Sequence, residues 1–178
     1  MVTRVWLVRD NMLNDIDVGR LRQSIKNQSW LWIDEAFRPE FGWELPVYYL
    51  EYCADREIGT PTGVMSYKLE DGLNVKDIDY VAQELNKILV TKITSADMFL
   101  SFANRSTADK TENRDVILWQ PLGSIDVIVH ENNSNITKTV NPGDLVYLPS
   151  FVSYDVKLNG ARTTIAFYMG EPDDSEAT

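Results

Sequence analysis

The chain has 178 residues, of which 44% are hydrophobic, and it carries a formal net charge of −10. That apolar content is sufficient for one hydrophobic core, and the acidity argues against nucleic-acid binding, which depends on clustered Lys and Arg. No apolar run approaches the roughly 20 residues that cross a bilayer. Residues 1–10 lack the basic stretch, apolar stretch and small-residue cleavage site of a secretory signal, so none is expected there. We therefore predict one cytoplasmic domain over residues 1–170 that contacts neither nucleic acid nor membrane. Residues 171–178 are expected to form a disordered acidic tail.

The N-terminal part, residues 1–94, predicts strand and helix elements that flank a main sheet. Residues 3–9 alternate like an edge strand, and Asn14 is a candidate cap for a helix. The apolar positions of that helix share one side: Ile16, Val18, Leu21 and Ile25. A short aromatic-rich stretch follows, which is more often a plug over the open end of a sheet than a ligand platform. Its members are Trp30, Trp32, Phe37, Phe41 and Trp43.

A second helix is predicted over residues 75–90, with Asn74 as its cap and Asp77 in its first turn. Its 3.6-residue apolar stripe would pack against the sheet. From residue 96 onward the pattern changes to short β-branched and aromatic runs separated by turn residues: 96–102, 115–120, 124–130, 135–140, 144–148, 152–158 and 162–168. Seven such runs indicate an antiparallel sandwich or barrel.

Three segments of this second half carry more specific information. They are 115–123, with Gln120 and a Gly; 141–149, which contains Pro-Gly-Asp and ends in Pro; and 162–168, which begins with Arg. In this order they resemble the barrel of the JmjC-type and cupin-like 2-oxoglutarate/Fe(II) oxygenases. The resemblance covers residues 95–170. It implies a mainly β fold with flanking helices, namely a double-stranded β-helix barrel of the cupin or jelly-roll kind.

Oxygenases of this type hold iron with two histidines and one carboxylate. This chain contains one histidine, His130, which strand alternation places on the opposite face from Val127 and Val129. By the resemblance, the first histidine position is occupied by Lys110 and the second by Tyr154, so a catalytic iron site is not expected.

The remaining positions of a former pocket also follow from the resemblance. Glu112 retains the carboxylate, whereas Ile125 stands where many relatives have the basic residue that grips 2-oxoglutarate. Arg162 or Lys157 could serve that purpose instead. The candidate residues of this vestigial pocket are thus Lys110, Glu112, Gln120, Tyr154 and Arg162.

Two smaller features of the sequence have simpler interpretations. Asp109, Glu112 and Asp115 could bind a hard cation such as Mg²⁺ or Ca²⁺, but their spacing fits no known loop and exposed carboxylates near a turn are common. Cys53 is alone and is best interpreted as a small buried apolar residue.

We therefore expect a non-catalytic, pseudo-oxygenase member of this fold that acts as a binding or protein-interaction module, without catalytic residues, metal or cofactor. It would bind a small ligand in the barrel mouth or a protein partner on the aromatic-rich N-terminal part, and a homodimer is implied by the resemblance. Two alternatives remain open. One is an active Fe(II) and 2-oxoglutarate hydroxylase, or another metalloenzyme, using Glu112 with His130 or Tyr154. The other is an acidic inhibitor or assembly protein, such as a phage encodes.

Overall fold

The computed structural model describes residues 13–39, 42–46, 66–101, 110–131 and 134–170. The expected strand at 3–9, Phe41, Cys53, Asp109 and the acidic tail lie outside these ranges. Within them the elements are, in chain order, α1 (Asp15–Asn27), β1 (Leu31–Ile33), β2 (Ser66–Leu69), a 3₁₀ helix (Gly72–Asn74), α2 (Lys76–Ile88), β3 (Ile93–Ser101), β4 (Lys110–Thr111), β5 (Val116–Leu122), β6 (Ile125–Glu131), β7 (Ser134–Val140), β8 (Leu145–Leu148), β9 (Ser153–Leu158) and β10 (Arg162–Met169).

The strands form two antiparallel sheets that enclose one apolar layer. The larger sheet has the order β1-β8-β5-β10-β3-β2, and the smaller has the order β4-β9-β6-β7. Strand β10 is buried on both faces. Its residues Ala166 and Tyr168 point into the layer between the sheets, whereas Ile165 and Phe167 join a second layer beneath the helices. The predicted double-stranded β-helix with flanking helices is thereby confirmed.

Helix α1 begins where the sequence predicts. The side chain of Asn14 accepts a hydrogen bond of 2.9 Å from the backbone N–H of Asp17, so the predicted cap is confirmed. Leu21 is fully buried in the core layer beneath the helices. The prediction that Ile16 shares one side of the helix with Leu21 was wrong, because Ile16 lies in the first turn and is 76% exposed.

Helix α2 is shorter than predicted at both ends. Its N-cap is Val75, which provides no side-chain hydrogen bond, and Asn74 instead ends the preceding 3₁₀ helix. The predicted Asn74 cap was therefore wrong, because the 3₁₀ turn takes that residue out of the cap position. The amphipathic pattern is confirmed, since α2 buries a stripe of Ile78, Val81, Ala82 and Leu85.

The seven predicted runs of the second half all form strands, with ends displaced by one to three residues at most positions. Strands β1, β2 and β4 were not predicted, because they contain only three, four and two residues and are too short to show alternation. Among the described residues no helix is both long and apolar enough to cross a membrane.

The Pro-Gly-Asp turn connects the barrel to the N-terminal part of the chain. Gly143 has a φ of +96°, a conformation that residues with a Cβ adopt at a cost. Its N–H donates to the Gln120 carbonyl at 2.8 Å, and its carbonyl accepts from the Phe37 N–H at 2.9 Å. The turn thus fixes the loop that follows β1 against strand β5.

Asp144 strengthens the same connection. Its buried carboxylate accepts hydrogen bonds from the backbone N–H groups of Asn141 and Glu35, at 2.9 and 3.0 Å, and from the Trp32 indole at 3.3 Å. Trp30 and Trp32 pack against the apolar layer between the sheets. Part of the predicted aromatic stretch therefore closes the barrel, as a plug would.

Candidate ligand site in the barrel

A cavity lies between the two sheets. It encloses about 370 Å³ including the solvent at its mouth, but the centre of a water molecule can occupy only about 20 Å³ of it. Its polar lining comes from β9, β10 and the residue after β4, and the rest is apolar or aromatic. The lining residues are Phe99, Glu112, Leu118, Ile125, Tyr154, Val156, Arg162, Thr164, Ala166 and Tyr168.

The pairing of β4 with β9 brings three of the candidate positions together. Lys110 is the direct cross-strand partner of Tyr154, and Thr111 pairs with Ser153. Glu112 is the first residue after β4, and its carbonyl accepts a hydrogen bond of 2.8 Å from the N–H of Phe151. The strand pairing therefore places the positions of Lys110, Glu112 and Tyr154 at one end of the barrel.

Tyr154 occupies the inner face of β9 and is 3% exposed. Burial, together with the negative charge of Glu112, raises the pKa of the Tyr154 phenol above its usual range. The phenol is therefore protonated at neutral pH and is available as a hydrogen-bond donor. No hydrogen bond joins its hydroxyl to another described residue.

Arg162 supplies the positive charge of the cavity. It is 6% exposed, and its guanidinium carbon lies 5.8 Å from the centre of the Phe99 ring. The buried Nε has no hydrogen-bond partner in the described ranges. Burial lowers the pKa of Arg162 to about 10, which leaves the guanidinium protonated at neutral pH.

Tyr168 completes the polar lining and was not predicted from the sequence. Burial, with the charge of Asp97 and a hydrogen bond to it, raises the pKa of the Tyr168 phenol. The Arg114 guanidinium lies over its ring, 4.6 Å from the ring centre. The period-two alternation of β10 could have identified Tyr168 and Thr164, since both share the face of Arg162.

Gln120, a pocket candidate from the sequence, is not among the residues that line this cavity. Its amide nitrogen donates to the carbonyls of Leu122 and Gly123, at 2.7 and 3.2 Å, and its amide oxygen accepts from the Thr164 hydroxyl at 2.6 Å. These bonds hold the turn between β5 and β6, so both polar atoms of the amide are already used.

His130 and Lys157 are also outside the cavity. The two His130 ring nitrogens lie 2.9 Å from the Asn135 amide oxygen and 3.3 Å from the Asp155 carboxylate, on the outer face of the smaller sheet. Lys157 is an exposed residue of the neighbouring strand β9. Of the two cations considered for gripping a carboxylate, the structure therefore places only Arg162 at the cavity.

The carboxylate of Asp115 is committed to internal hydrogen bonds. It accepts from the Tyr147 hydroxyl at 2.6 Å, from the Ser150 N–H at 2.8 Å and from the Gln28 amide at 3.2 Å. A hard-cation site that combines it with Glu112 is not supported by this geometry. In the parts of the chain that are described, no group of three or more His, Cys, Asp and Glu side chains is placed to hold a metal ion.

The order of the strands and the cavity between the sheets define a cupin-like double-stranded β-helix, the fold of the JmjC-type oxygenases. The chain is similar to the ribosomal oxygenase YcfD from Escherichia coli, with 13% sequence identity, a TM-score of 0.66 and coverage of 87% of this chain and 52% of that one. It is also similar to YcfD in complex with cobalt and succinic acid, at 13% identity, a TM-score of 0.65 and coverage of 93% and 54%.

A third similar structure is YcfD in complex with cobalt and 2-oxoglutarate, at 12% identity and a TM-score of 0.64, with coverage of 94% of this chain and 55% of that one. The chain thus spans about half the length of these proteins. No family model matches the sequence, and no curated protein matches it. At such low identity the similarity establishes the fold.

The expectation of no cofactor was wrong, because solved structures of this fold hold cobalt together with succinic acid or 2-oxoglutarate. The expectation relied on the shortage of histidines, which excludes one set of metal ligands. It does not exclude a bound small molecule that carries a carboxylate. Such a molecule is held by a cation and hydrogen-bond donors rather than by imidazoles.

The residues of this cavity nevertheless do not fit a site of two histidines and one carboxylate. Glu112 supplies a carboxylate, but burial keeps the Tyr154 phenol protonated, and a protonated phenol is a poor metal ligand. The cross-strand partner of Tyr154 is Lys110, whose ammonium group has no lone pair to offer. The arrangement can bind an anion between Arg162 and the Tyr154 hydroxyl more readily than it can coordinate iron.

Proposed function

We propose that this chain is a non-catalytic member of the cupin-like oxygenase fold that serves as a binding module, with its ligand in the barrel mouth. The observation that carries the proposal is the pairing of Lys110 with Tyr154 at the end of the barrel where Glu112 also lies. By the resemblance these are the positions of the two histidines, and neither residue can replace an imidazole. His130, the one histidine of the sequence, belongs to the outer face.

A small ligand suits the structure better than a protein partner on the aromatic-rich segment. Phe37 is buried with its ring centre 5.2 Å from that of Trp119, and Trp30 and Trp32 pack against the interior of the barrel. These rings already pack in or against the core, whereas Arg162 supplies a buried charge that forms no ion pair with another described residue. The succinate and 2-oxoglutarate held by similar structures make carboxylates the first class to test.

The test separates binding from turnover. The protein is produced with iron supplied, and iron per chain, conversion of 2-oxoglutarate to succinate, and heat of binding of both acids are measured. We expect no turnover above that of a denatured sample. An active Fe(II) oxygenase of the same fold, prepared in parallel, controls for loss of iron or oxidation. Stoichiometric iron together with succinate formation would contradict the proposal.

A further inference from the structure

Two hydrogen-bond donors of the cavity have no acceptor in the described part of the chain. One is the Nε of Arg162, and the other is the Tyr154 hydroxyl, which the raised pKa of the phenol keeps protonated. Both residues are at least nine-tenths buried and line the same space. Neither has a salt bridge or a side-chain hydrogen bond to another described residue.

A buried guanidinium Nε without an acceptor is costly, because this N–H has given up its water without gaining a partner. Neighbouring strands supply no compensation, since burial lowers the pKa of Arg162 and no carboxylate of the described chain forms an ion pair with it. Phe99 contributes only the face of its ring, at 5.8 Å. A ligand with negatively charged oxygens would satisfy both donors and the charge together.

The free space limits the size of this ligand. About 20 Å³ is open to the centre of a water molecule, and one water requires roughly 10–15 Å³ by this measure. The space is therefore sufficient for one or two water molecules, or for an anion with a few heavy atoms. Ile125, Leu118 and Val156 line the remainder with apolar groups that would not solvate a second carboxylate.

From these observations we infer that the cavity binds a small oxyanion of three or four heavy atoms, of the formate or bicarbonate class, between Arg162 and Tyr154. The inference rests on the proposed function, since it assigns the ligand of that barrel mouth. Glu112 lines the same cavity and opposes the anion by its charge. The binding energy is thus the difference between attraction to Arg162 and repulsion by Glu112.

The experiment measures binding of sodium formate, sodium bicarbonate and sodium nitrate by calorimetry and by the shift of the thermal unfolding midpoint, at constant ionic strength. Succinate and 2-oxoglutarate are the larger comparators, and sodium chloride replaces the oxyanion in the blank. A ligand that binds the native state alone raises the midpoint as its concentration rises. We expect the small oxyanions to bind and the two dicarboxylates to bind at least about tenfold more weakly.

Variants that are expected to change oxyanion affinity in opposite directions identify the residues that bind the anion. Arg162→Met keeps the cavity filled with an apolar chain, so it should fold at least as stably as the parent and lose affinity at least about tenfold. Tyr154→Phe should lose about fivefold, the equivalent of one hydrogen bond. Glu112→Gln should gain about threefold. Lys157→Met removes a cation from the outer face of β9 and should leave affinity unchanged.

Each failure has a distinct meaning. If no oxyanion shifts the midpoint or releases heat, the cavity holds water and the inference is wrong. If only succinate or 2-oxoglutarate binds, and Arg162→Met abolishes that binding, the size class is wrong while the proposed binding function stands. If Lys157→Met weakens binding as much as Arg162→Met, the anion binds elsewhere. Turnover of 2-oxoglutarate with bound iron would overturn the proposed function and, with it, the assignment of a small oxyanion to this cavity.

Discussion

Lys110 and Tyr154 are direct partners across the antiparallel pair of β4 and β9, and Glu112 follows Lys110 by two residues. Directly opposed residues of an antiparallel pair have Cβ atoms about 5 Å apart when their side chains share a face. The strand pairing therefore brings the positions of Lys110 and Tyr154 to the end of the barrel where Glu112 lines the cavity. By the resemblance these are the three positions of a metal site, although the side chains are not those of one.

This relationship predicts that two substitutions create a metal site. The double variant Lys110→His with Tyr154→His would combine two imidazoles with the Glu112 carboxylate, a set that suits Fe(II) and Co(II). Loss of even an outer-shell partner costs about 10–100-fold in metal affinity, so the gain of two ligands should raise Co(II) affinity by more than about tenfold. Titration with Co(II), followed by the visible spectrum of the bound ion, measures the change.

The single variants provide the control, since each supplies one imidazole and should bind Co(II) more weakly than the double variant. Equal affinity in the parent and the double variant would show that the two positions do not converge. It would remove the structural basis for matching Lys110 and Tyr154 to the histidines.

The sequence predicted what depends on local pattern and missed what depends on strand pairing. The Asn14 cap and the runs of the second half follow from neighbouring residues, and they agree with the structure. The two-residue strand β4 shows no period of its own and exists because β9 pairs with it. Tyr154 and Arg162 were placed by resemblance. Tyr168 was missed although the alternation of β10 places it on the same face as Arg162.

Tyr147→Phe should destabilise the native state by about 1–2 kcal/mol, the cost of losing a buried hydrogen bond. The Tyr147 hydroxyl donates to Asp115 at 2.6 Å and accepts from the Gln28 amide at 3.3 Å, so its removal leaves the carboxylate short of a donor. Urea unfolding gives the free energy. Tyr154→Phe is the matched control, measured without small oxyanions, and should change stability by less than about 0.5 kcal/mol because its hydroxyl has no hydrogen bond to another described residue. Equal losses of stability in both variants would contradict a stabilising role for the hydrogen bond from Tyr147 to Asp115.

Asp144 should make stability decrease as pH rises. Burial raises the pKa of this carboxyl, and the charge of Asp34 raises it further. An acid with a raised native pKa contributes most below its unfolded value, about 3.9, and that contribution is lost as pH rises through the native pKa. Asp144→Asn removes the titration. The free energy of unfolding of this variant, relative to the parent, should therefore increase between about pH 4 and about pH 7.

A second substitution checks the cause of this pH dependence. Asp34→Asn removes the neighbouring charge and should reduce the pH dependence that Asp144 contributes, without abolishing the burial effect. The parent could instead become more stable relative to Asp144→Asn as pH rises. That result would mean that the hydrogen-bond donors from Asn141, Glu35 and Trp32 outweigh burial in their effect on the pKa of Asp144.

Gly143→Ala should be among the most destabilising small substitutions in the barrel. A Cβ at this position would lie 2.4 Å from the carbonyl oxygen of Phe37, and the residue has a φ of +96°. Strain of this kind costs about 1–3 kcal/mol, and the backbone contact adds to it because the N–H of Phe37 is bonded to the Gly143 carbonyl. Gly19→Ala is the contrasting change, since nothing lies within 4 Å of its Cβ and alanine favours a helix by about 0.5–1 kcal/mol. Urea unfolding should thus move the two variants in opposite directions from the parent. A Gly143→Ala protein as stable as the parent would show that the turn does not fix the N-terminal segment to the barrel.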